Sequence, residues 1–172
     1  MKNIFYAVGF GLMLFSCQNQ SKIGFVDNGV VINDYQEKKD VEAKFQERDA
    51  AFRIKADSLG KAFQKEVQDV QTEAQRATQA KAQELMSGLQ KKQQQLQQQM
   101  QFEQQQLQMA FQAEIDSVIG KVKTYVKEYG KNNGYTYVLG TSDAAATVMY
   151  GAQENDLTNT ILEALNKAYS KE

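Results

Sequence analysis

Apolar residues recur every three or four positions along the middle of the chain, from about Gln36 to Asn132. The first stripe comprises Val41, Phe45, Phe52, Ala56, Leu59, Phe63, Val67, Val70, Ala74 and Ala77. The second comprises Leu89, Leu96, Met100, Leu107, Phe111, Ile115, Val118, Val122, Tyr125 and Tyr129. Because such spacing places apolar side chains on one helix face, residues 36–132 predict two long helices that form a coiled coil.

A glycine between the two stripes predicts where the chain reverses. Met86-Ser87-Gly88 is the candidate apex (86–88), since glycine readily adopts the positive φ that ends a helix. Each arm of this antiparallel hairpin would be on the order of 45–50 residues long, or about 70 Å. The alternative is one uninterrupted helix in a parallel coiled coil, with Gly88 tolerated inside it. A hairpin explains more directly why strand-like segments lie at both ends.

Two details of the arms bear on their shape. The step from Leu59 to Val70 advances eleven residues in three turns, which relaxes the left-handed supercoil locally. Gly60 and Gly120 lie on opposite arms at comparable distances from the predicted apex, and we interpret them as a candidate hinge where the arms splay. The alternative is that both are surface glycines without consequence.

Short segments of strand character flank the hairpin, at Lys22–Asp27, Tyr135–Leu139 and Ala146–Tyr150. A last helix begins near Asp156, which is a good N-cap residue. That helix is predicted to bury Leu157, Ile161, Leu162, Leu165 and Tyr169. The predicted fold is therefore α+β and predominantly α.

The predicted base of the hairpin comprises residues 22–35 and 133–172. Three short strands and one helix bury too little apolar surface to be very stable alone. We therefore expect this three-stranded base to oligomerise.

Composition argues against enzyme chemistry. The chain contains no histidine and no proline, and it has no glycine-rich phosphate loop. Histidine-dependent catalytic triads and histidine-zinc sites are thereby excluded. The net charge is -1 and the isoelectric point is about 5.7, so the chain has no excess of basic residues that would bind nucleic acid. We expect no enzyme activity, no cofactor, no metal and no nucleic-acid partner.

The first residues are typical of an export signal. Lys2 precedes an apolar run from Ile4 to Leu14, which is too short to span a bilayer. The run ends in Leu14-Phe15-Ser16-Cys17, similar to a bacterial lipobox, so cleavage would remove residues 1–16 and leave an acylated Cys17. Residues 17–21 would then be a short tether to a membrane, with the outer membrane favoured because Gln18 follows the cysteine. The alternatives are an ordinary signal peptide with an incidental cysteine, or a short anchor helix.

The order of these motifs resembles the Skp/OmpH family of periplasmic chaperones for outer-membrane proteins. The resemblance rests on Lys22-Ile23-Gly24-Phe25-Val26-Asp27, the long hairpin, Gly134-Tyr135-Thr136-Tyr137-Val138-Leu139 and Asp156-Leu157-Thr158. It implies a homotrimer in which three hairpins surround a cavity that holds unfolded outer-membrane β-barrel proteins without ATP. The chain differs from the strongly basic, soluble members in its slight acidity and in Cys17.

Client contacts would come from apolar side chains that miss the seam between the arms. Ile54, Met86, Phe102 and Met109 are the candidates, and the alternative is that they close the seam or pack against a neighbouring arm. Residues 90–108 include twelve glutamines among nineteen. This stretch is either a solvated helix face or a surface that offers neutral donors and acceptors to an extended client.

A different class of function remains open at this point. The chain could be a structural or adaptor lipoprotein whose coiled coil bridges components of the bacterial envelope. If the chain is a chaperone, we expect splayed hairpins with apolar side chains on an inner face. If it is a structural lipoprotein, we expect arms that pair with a partner along their whole length.

Overall fold

The structure, a computed structural model, describes residues 21–143 and 145–170. In chain order its elements are β1 (Ile23–Asp27), α1 (Asn28–Asp34), α2 (Gln36–Arg76), α3 (Gln79–Asn132), β2 (Tyr137–Thr141) and α4 (Thr158–Tyr169), with one 3-10 turn at Gln153–Asn155. Long helices and a small two-stranded β region make up the described part, in the predominantly helical class that the sequence predicts. The predicted signal peptide and Cys17 lie outside the described residues.

The hydrophobic core lies in the base, where α1, β1 and α4 meet the last turns of α3. Its most buried side chains are Val26, Val31, Val118, Val122 and Ile161, each at most 1% exposed. Two of these five come from α3, so the base is built partly from the arm itself. The helix predicted near Asp156 forms: Leu157 and Leu165 are also buried, and Leu162 and Tyr169 pack against the core.

The sheet is parallel. β1 pairs with β2 in the register Ile23 with Tyr137, Phe25 with Leu139 and Asp27 with Thr141. On its other side, β1 makes a single bridge between Phe25 and Asp156. The return of the chain to the base thus places β2 beside β1, with the whole hairpin as their connection.

The predicted third strand, Ala146–Tyr150, does not form. Two backbone hydrogen bonds between Ser142 and Ala145 close a tight turn, and the Thr147 amide also donates to the Ala145 carbonyl. The bond from Thr147 occupies an amide that the predicted strand would need for its ladder. Met149 and Tyr150 are both 88% exposed, so no buried face fixes a strand register here.

The apex predicted at 86–88 is wrong, because Met86, Ser87 and Gly88 all lie inside α3. The chain reverses instead at Ala77 and Thr78, which both have extended backbone conformations. The Thr78 side chain accepts a hydrogen bond from the Lys81 amide and caps the start of α3. Gly134 has a positive φ, of 70°, and it follows the end of α3, as expected from Asn132-Asn133-Gly134.

The start of α2 is capped by a residue from a distant part of the chain. Tyr35 occupies the N-cap position but gives no side-chain cap. The Asn166 side chain of α4 accepts a 2.8 Å hydrogen bond from the Gln36 amide instead. Tyr169 donates to Asp40 one turn further along α2 and packs edge-to-face on Tyr35. Helix α4 therefore fixes the root of the arm to the base.

Candidate functional site

The seam between α2 and α3 uses the side chains that the two apolar stripes predict. All of the predicted positions are buried or half-buried. Near the base, the rings of Phe45 and Phe111 pack edge-to-face with their centroids 5.2 Å apart. The periodicity of the sequence therefore identifies the inward face of both helices correctly.

Four ion pairs join the two helices and define their register. Lys121 contacts Glu37 at 2.6 Å, Lys44 contacts Glu114 at 2.7 Å and Lys55 contacts Glu103 at 2.6 Å. The fourth pair, Lys92 with Glu66, lies nearest to the reversal. In each pair the two residues lie equally far along the chain from Gln79. The helices therefore run in opposite directions without a slip in register from the base to the upper arm.

Three of the four ion pairs follow an eleven-residue repeat, and the fourth lies seven residues nearer the base. On α2 the paired residues Lys44, Lys55 and Glu66 are spaced by eleven, and so are their partners on α3. Eleven residues make almost exactly three helical turns, so side chains at this spacing stay on one strip of the helix. The eleven-residue step seen at Leu59–Val70 thus extends along much of the arm, and all four ion pairs lie on one flank of the hairpin.

One of these pairs shifts a pKa. The hydrogen bond from Lys55, with a second one from Gln99, holds the pKa of the Glu103 carboxyl below its ordinary value of 4.5. Both partners are partly exposed, so this contact contributes more to register than to stability.

The four candidate contact residues are all exposed: Ile54 by 72%, Phe102 by 61%, Met109 by 49% and Met86 by 43%. None of them closes the seam within this chain. Phe102 and Met109 are two positions beyond inward residues of α3 and share its outer face. Ile54 is on the outer face of α2 at a similar height, and Met86 lies near the tip. The structure brings Phe102 and Met109 together but separates the other two.

The two candidate hinge glycines lie at different heights. Gly60 is in the upper half of α2, whereas Gly120 lies between the core residues Val118 and Val122 at the base. The premise that they are equally far from the apex is therefore wrong, because it used the wrong apex. A Cβ at either glycine would meet nothing within 4 Å. The hinge at Gly60 and Gly120 itself stays a prediction.

The second flank of the hairpin carries open grooves with apolar floors. One groove is lined by Phe45, Leu107, Phe111 and Gln108, and the next by Phe63, Leu96, Met100, Gln97 and Gln101. Neither contains a residue of the four ion pairs. A third groove, beside Arg48, Lys55 and Glu103, lies on the ion-paired flank. The first groove also includes Glu42 and Asp49, so the flanks differ in the ion pairs that join the two helices, all of which lie on one flank.

The base also exposes apolar side chains that the sequence does not single out. Ile23, Tyr137 and Leu139 lie on one face of the sheet and are 45%, 60% and 42% exposed, whereas the residues next to them along the strands, on the other face, are buried or half-buried. The period-two pattern of the two strands could have identified this face, but only once their pairing was known.

Two kinds of feature are absent from the described part of the chain. Among residues 21–143 and 145–170, no group of three or more acidic or cysteine side chains is placed to hold a metal ion. Within the same ranges, no helix is long and apolar enough to cross a membrane.

Comparison with known proteins adds a family and a fold. Residues 22–165 match the family described as outer membrane protein (OmpH-like). The structure is similar to that of a candidate outer membrane chaperone (OmpH-like) from Caulobacter crescentus, with a TM-score of 0.74 and 15% identity over 86% of this chain and 85% of that one. At this identity the likeness shows the fold alone. No curated protein sequence matches the chain.

Proposed function

We propose that the chain, which belongs to the OmpH-like family of outer membrane proteins, is an ATP-independent holdase that encloses unfolded outer-membrane β-barrel proteins. The family supports a chaperone role in the bacterial envelope. The observation that carries this proposal is the hairpin itself: a long arm, held to the core only at its root, exposes Ile54, Met86, Phe102 and Met109. Phe102 and Met109 share the outer face of α3, and exposed apolar side chains that lie on one surface mark interaction sites.

The physical mechanism needs no hydrolysis. A barrel precursor in water exposes apolar residues at alternate positions and unpaired strand edges, and both drive aggregation. Arms that surround the precursor block contact between clients. Many weak contacts sum to a tight complex without fixing the client in one conformation. Release then follows when the membrane removes the client segment by segment.

The test is suppression of aggregation by the chain carrying Cys17→Ser, mixed with a urea-unfolded outer-membrane β-barrel and followed by light scattering. Replacing Ile54, Met86, Phe102 and Met109 by Ser should weaken suppression at least severalfold, while helix content is unchanged. The matched control replaces four exposed polar residues on or beside the ion-paired flank, Glu47, Lys65, Gln95 and Gln106, by Ser, which leaves the net charge unchanged. Equal suppression by the two variants would reject the role of the apolar side chains.

We propose further that three chains assemble through their bases. The exposed sheet face of Ile23, Tyr137 and Leu139 supports this step, because an apolar face of this kind is stable when another protein surface covers it. Three bases would hold three hairpins around one cavity. The client would then be enclosed by three hairpins together and not by the hairpin of a single chain.

The membrane anchor is proposed from the sequence. Acylation of Cys17 would place the base within a short tether of a membrane, with the outer membrane favoured, and the arms in the periplasm. Multiple acyl chains make such an anchor stable. Metabolic labelling with a fatty acid tests it: label should be incorporated by the native chain and lost in Cys17→Ala. Labelling that survives this substitution would rule out Cys17 as the acylated residue.

A further inference from the structure

The two helices of the hairpin, α2 and α3, differ in charge at the same distance from the base. Residues 93–113 of α3 contain one charged residue, Glu103, which is paired with Lys55. The ion-pair register places residues 45–65 of α2 beside this stretch, and that segment contains eight charged residues. Over about 30 Å of arm, at 1.5 Å per residue, one helix is charged and the other is neutral.

The neutral surface continues from the outer face of α3 onto one flank of the hairpin. Gln97, Gln101 and Gln108 line the apolar grooves of that flank. Phe102 and Met109 project beside them on the outer face. Two carboxylates of α2 reach the lower groove, Glu42 and Asp49. Each is paired on its own helix, with Lys38 at 2.7 Å and Arg53 at 2.8 Å.

The charged surface occupies the other two sides. All four ion pairs between the helices follow the opposite flank, and the groove on that flank is lined by Arg48, Lys55 and Glu103. Beyond it, the outer face of α2 carries residues such as Lys61 and Lys65. The hairpin thus has a neutral side and a charged side.

We infer that the neutral side, centred on Gln97, Gln101, Phe102, Gln108 and Met109, is the side that contacts the client, and that the charged side faces solvent. This inference rests on the proposed holdase function and names the orientation of the arm. The occupant is an extended, uncharged polypeptide segment with alternating apolar side chains.

The chemistry of the surface fits that occupant. Glutamine amides can donate to backbone carbonyls and accept from backbone N–H groups, which an extended segment leaves unpaired. The grooves and the Phe102 and Met109 side chains accept the apolar residues, and methionine adapts to different shapes. On the neutral side only the ion pairs of Glu42 and Asp49, at the lower groove, stand to lose hydration, whereas contact on the charged side would desolvate more charged groups. Binding should accordingly depend little on salt.

The test places a photoreactive benzoylphenylalanine at one position at a time in the full chain carrying Cys17→Ser. Gln101 and Gln108 sample the neutral side. Ala51 and Ser58, also seven residues apart, sample the charged side at nearly the same heights. A urea-unfolded outer-membrane β-barrel is the probe, and the yield of crosslinked client is measured on a denaturing gel.

We expect at least fivefold more crosslinked client from Gln101 and Gln108 than from Ala51 and Ser58. Equal yields, or more from the charged side, would overturn the orientation while leaving the holdase proposal standing. Crosslinks between copies of this chain in the presence of client would also overturn it, because the neutral side would then be a contact between arms. If no client associates with the native chain, the holdase proposal and this inference both fail.

A second measurement avoids the bulky probe. The variant Q101E/Q108E adds two carboxylates to the neutral side, and A51E/S58E adds two at matched heights on the charged side. The first should weaken binding of the unfolded barrel about tenfold, and the second should leave it within twofold. Helix content by circular dichroism checks both variants. The reverse order of effects would contradict the inference.

Discussion

At the scale of single residues, Asn166 connects two parts of the molecule that serve different purposes. Its side chain lies 130 positions from Gln36 and supplies the N-cap that Tyr35 does not provide. Helix α4 belongs to the core, whereas α2 is the arm. A hydrogen bond between them sets where the arm leaves the base.

Asn166→Ala should lower the free energy of unfolding by about 1 kcal/mol, the usual loss when an N-cap is removed. Asn159→Ala is the matched control, because Asn159 is exposed on the same helix and the change in helix propensity is similar. Urea unfolding followed by circular dichroism measures both. If the two variants lose the same free energy, the cap is unimportant.

The Lys55–Glu103 pair has a measurable consequence for titration. Because Lys55 lowers the pKa of Glu103, this carboxylate stabilises the folded hairpin above its unfolded pKa, and the contribution is lost as the pH falls through the folded pKa. Lys55→Met should raise the Glu103 pKa toward 4.5, as measured by carboxyl NMR titration. Lys61→Met, which removes only a pairing with Asp57 within α2, should leave it unchanged.

At the scale of elements, the reversal of the hairpin shows what a local reading of the sequence can miss. The sequence favours Gly88 as an apex because glycine ends many helices, yet Gly88 continues α3 at a cost of about 1 kcal/mol relative to Ala. The ion pairs between the helices are centred on Gln79, next to the break at Ala77 and Thr78. Reading opposite charges at equal distances from Gln79 could have located it.

Gly88→Ala should therefore raise the free energy of unfolding by up to about 1 kcal/mol, since an added Cβ meets nothing within 4 Å. Gly134→Ala is the contrasting variant. It should lower the free energy of unfolding by about 1 kcal/mol or more, because Gly134 has a φ of 70°. Destabilisation by Gly88→Ala would return the apex to Gly88.

The sheet marks a second limit of the sequence. Tyr135–Leu139 has the alternation of a strand, and β2 does form over Tyr137–Thr141. Its partner is β1, more than a hundred residues earlier, and not the adjacent Ala146–Tyr150 segment. Alternation predicts that a strand exists, whereas its pairing depends on how the hairpin returns the chain to the base. The helical stripes were predictable because their periodicity is local.

At the scale of the whole molecule, the base and the arms carry separate tasks in the proposed assembly. The exposed sheet face would join three chains, and the neutral sides of the three arms would meet the client. Tyr137→Glu with Leu139→Glu should reduce the mass in sedimentation from three chains to one, since two carboxylates would be buried without partners. Ile54→Glu, on the arm, should leave the mass unchanged. A trimer that survives the double substitution would place the interface elsewhere.

The holdase claim is tested most directly by the mass of the complex that forms when a urea-unfolded outer-membrane β-barrel is diluted into the chain carrying Cys17→Ser. Native mass spectrometry should find three copies of this chain with one client, without added nucleotide. A client that aggregates while this chain remains alone would contradict the proposal and favour a structural role for the hairpin.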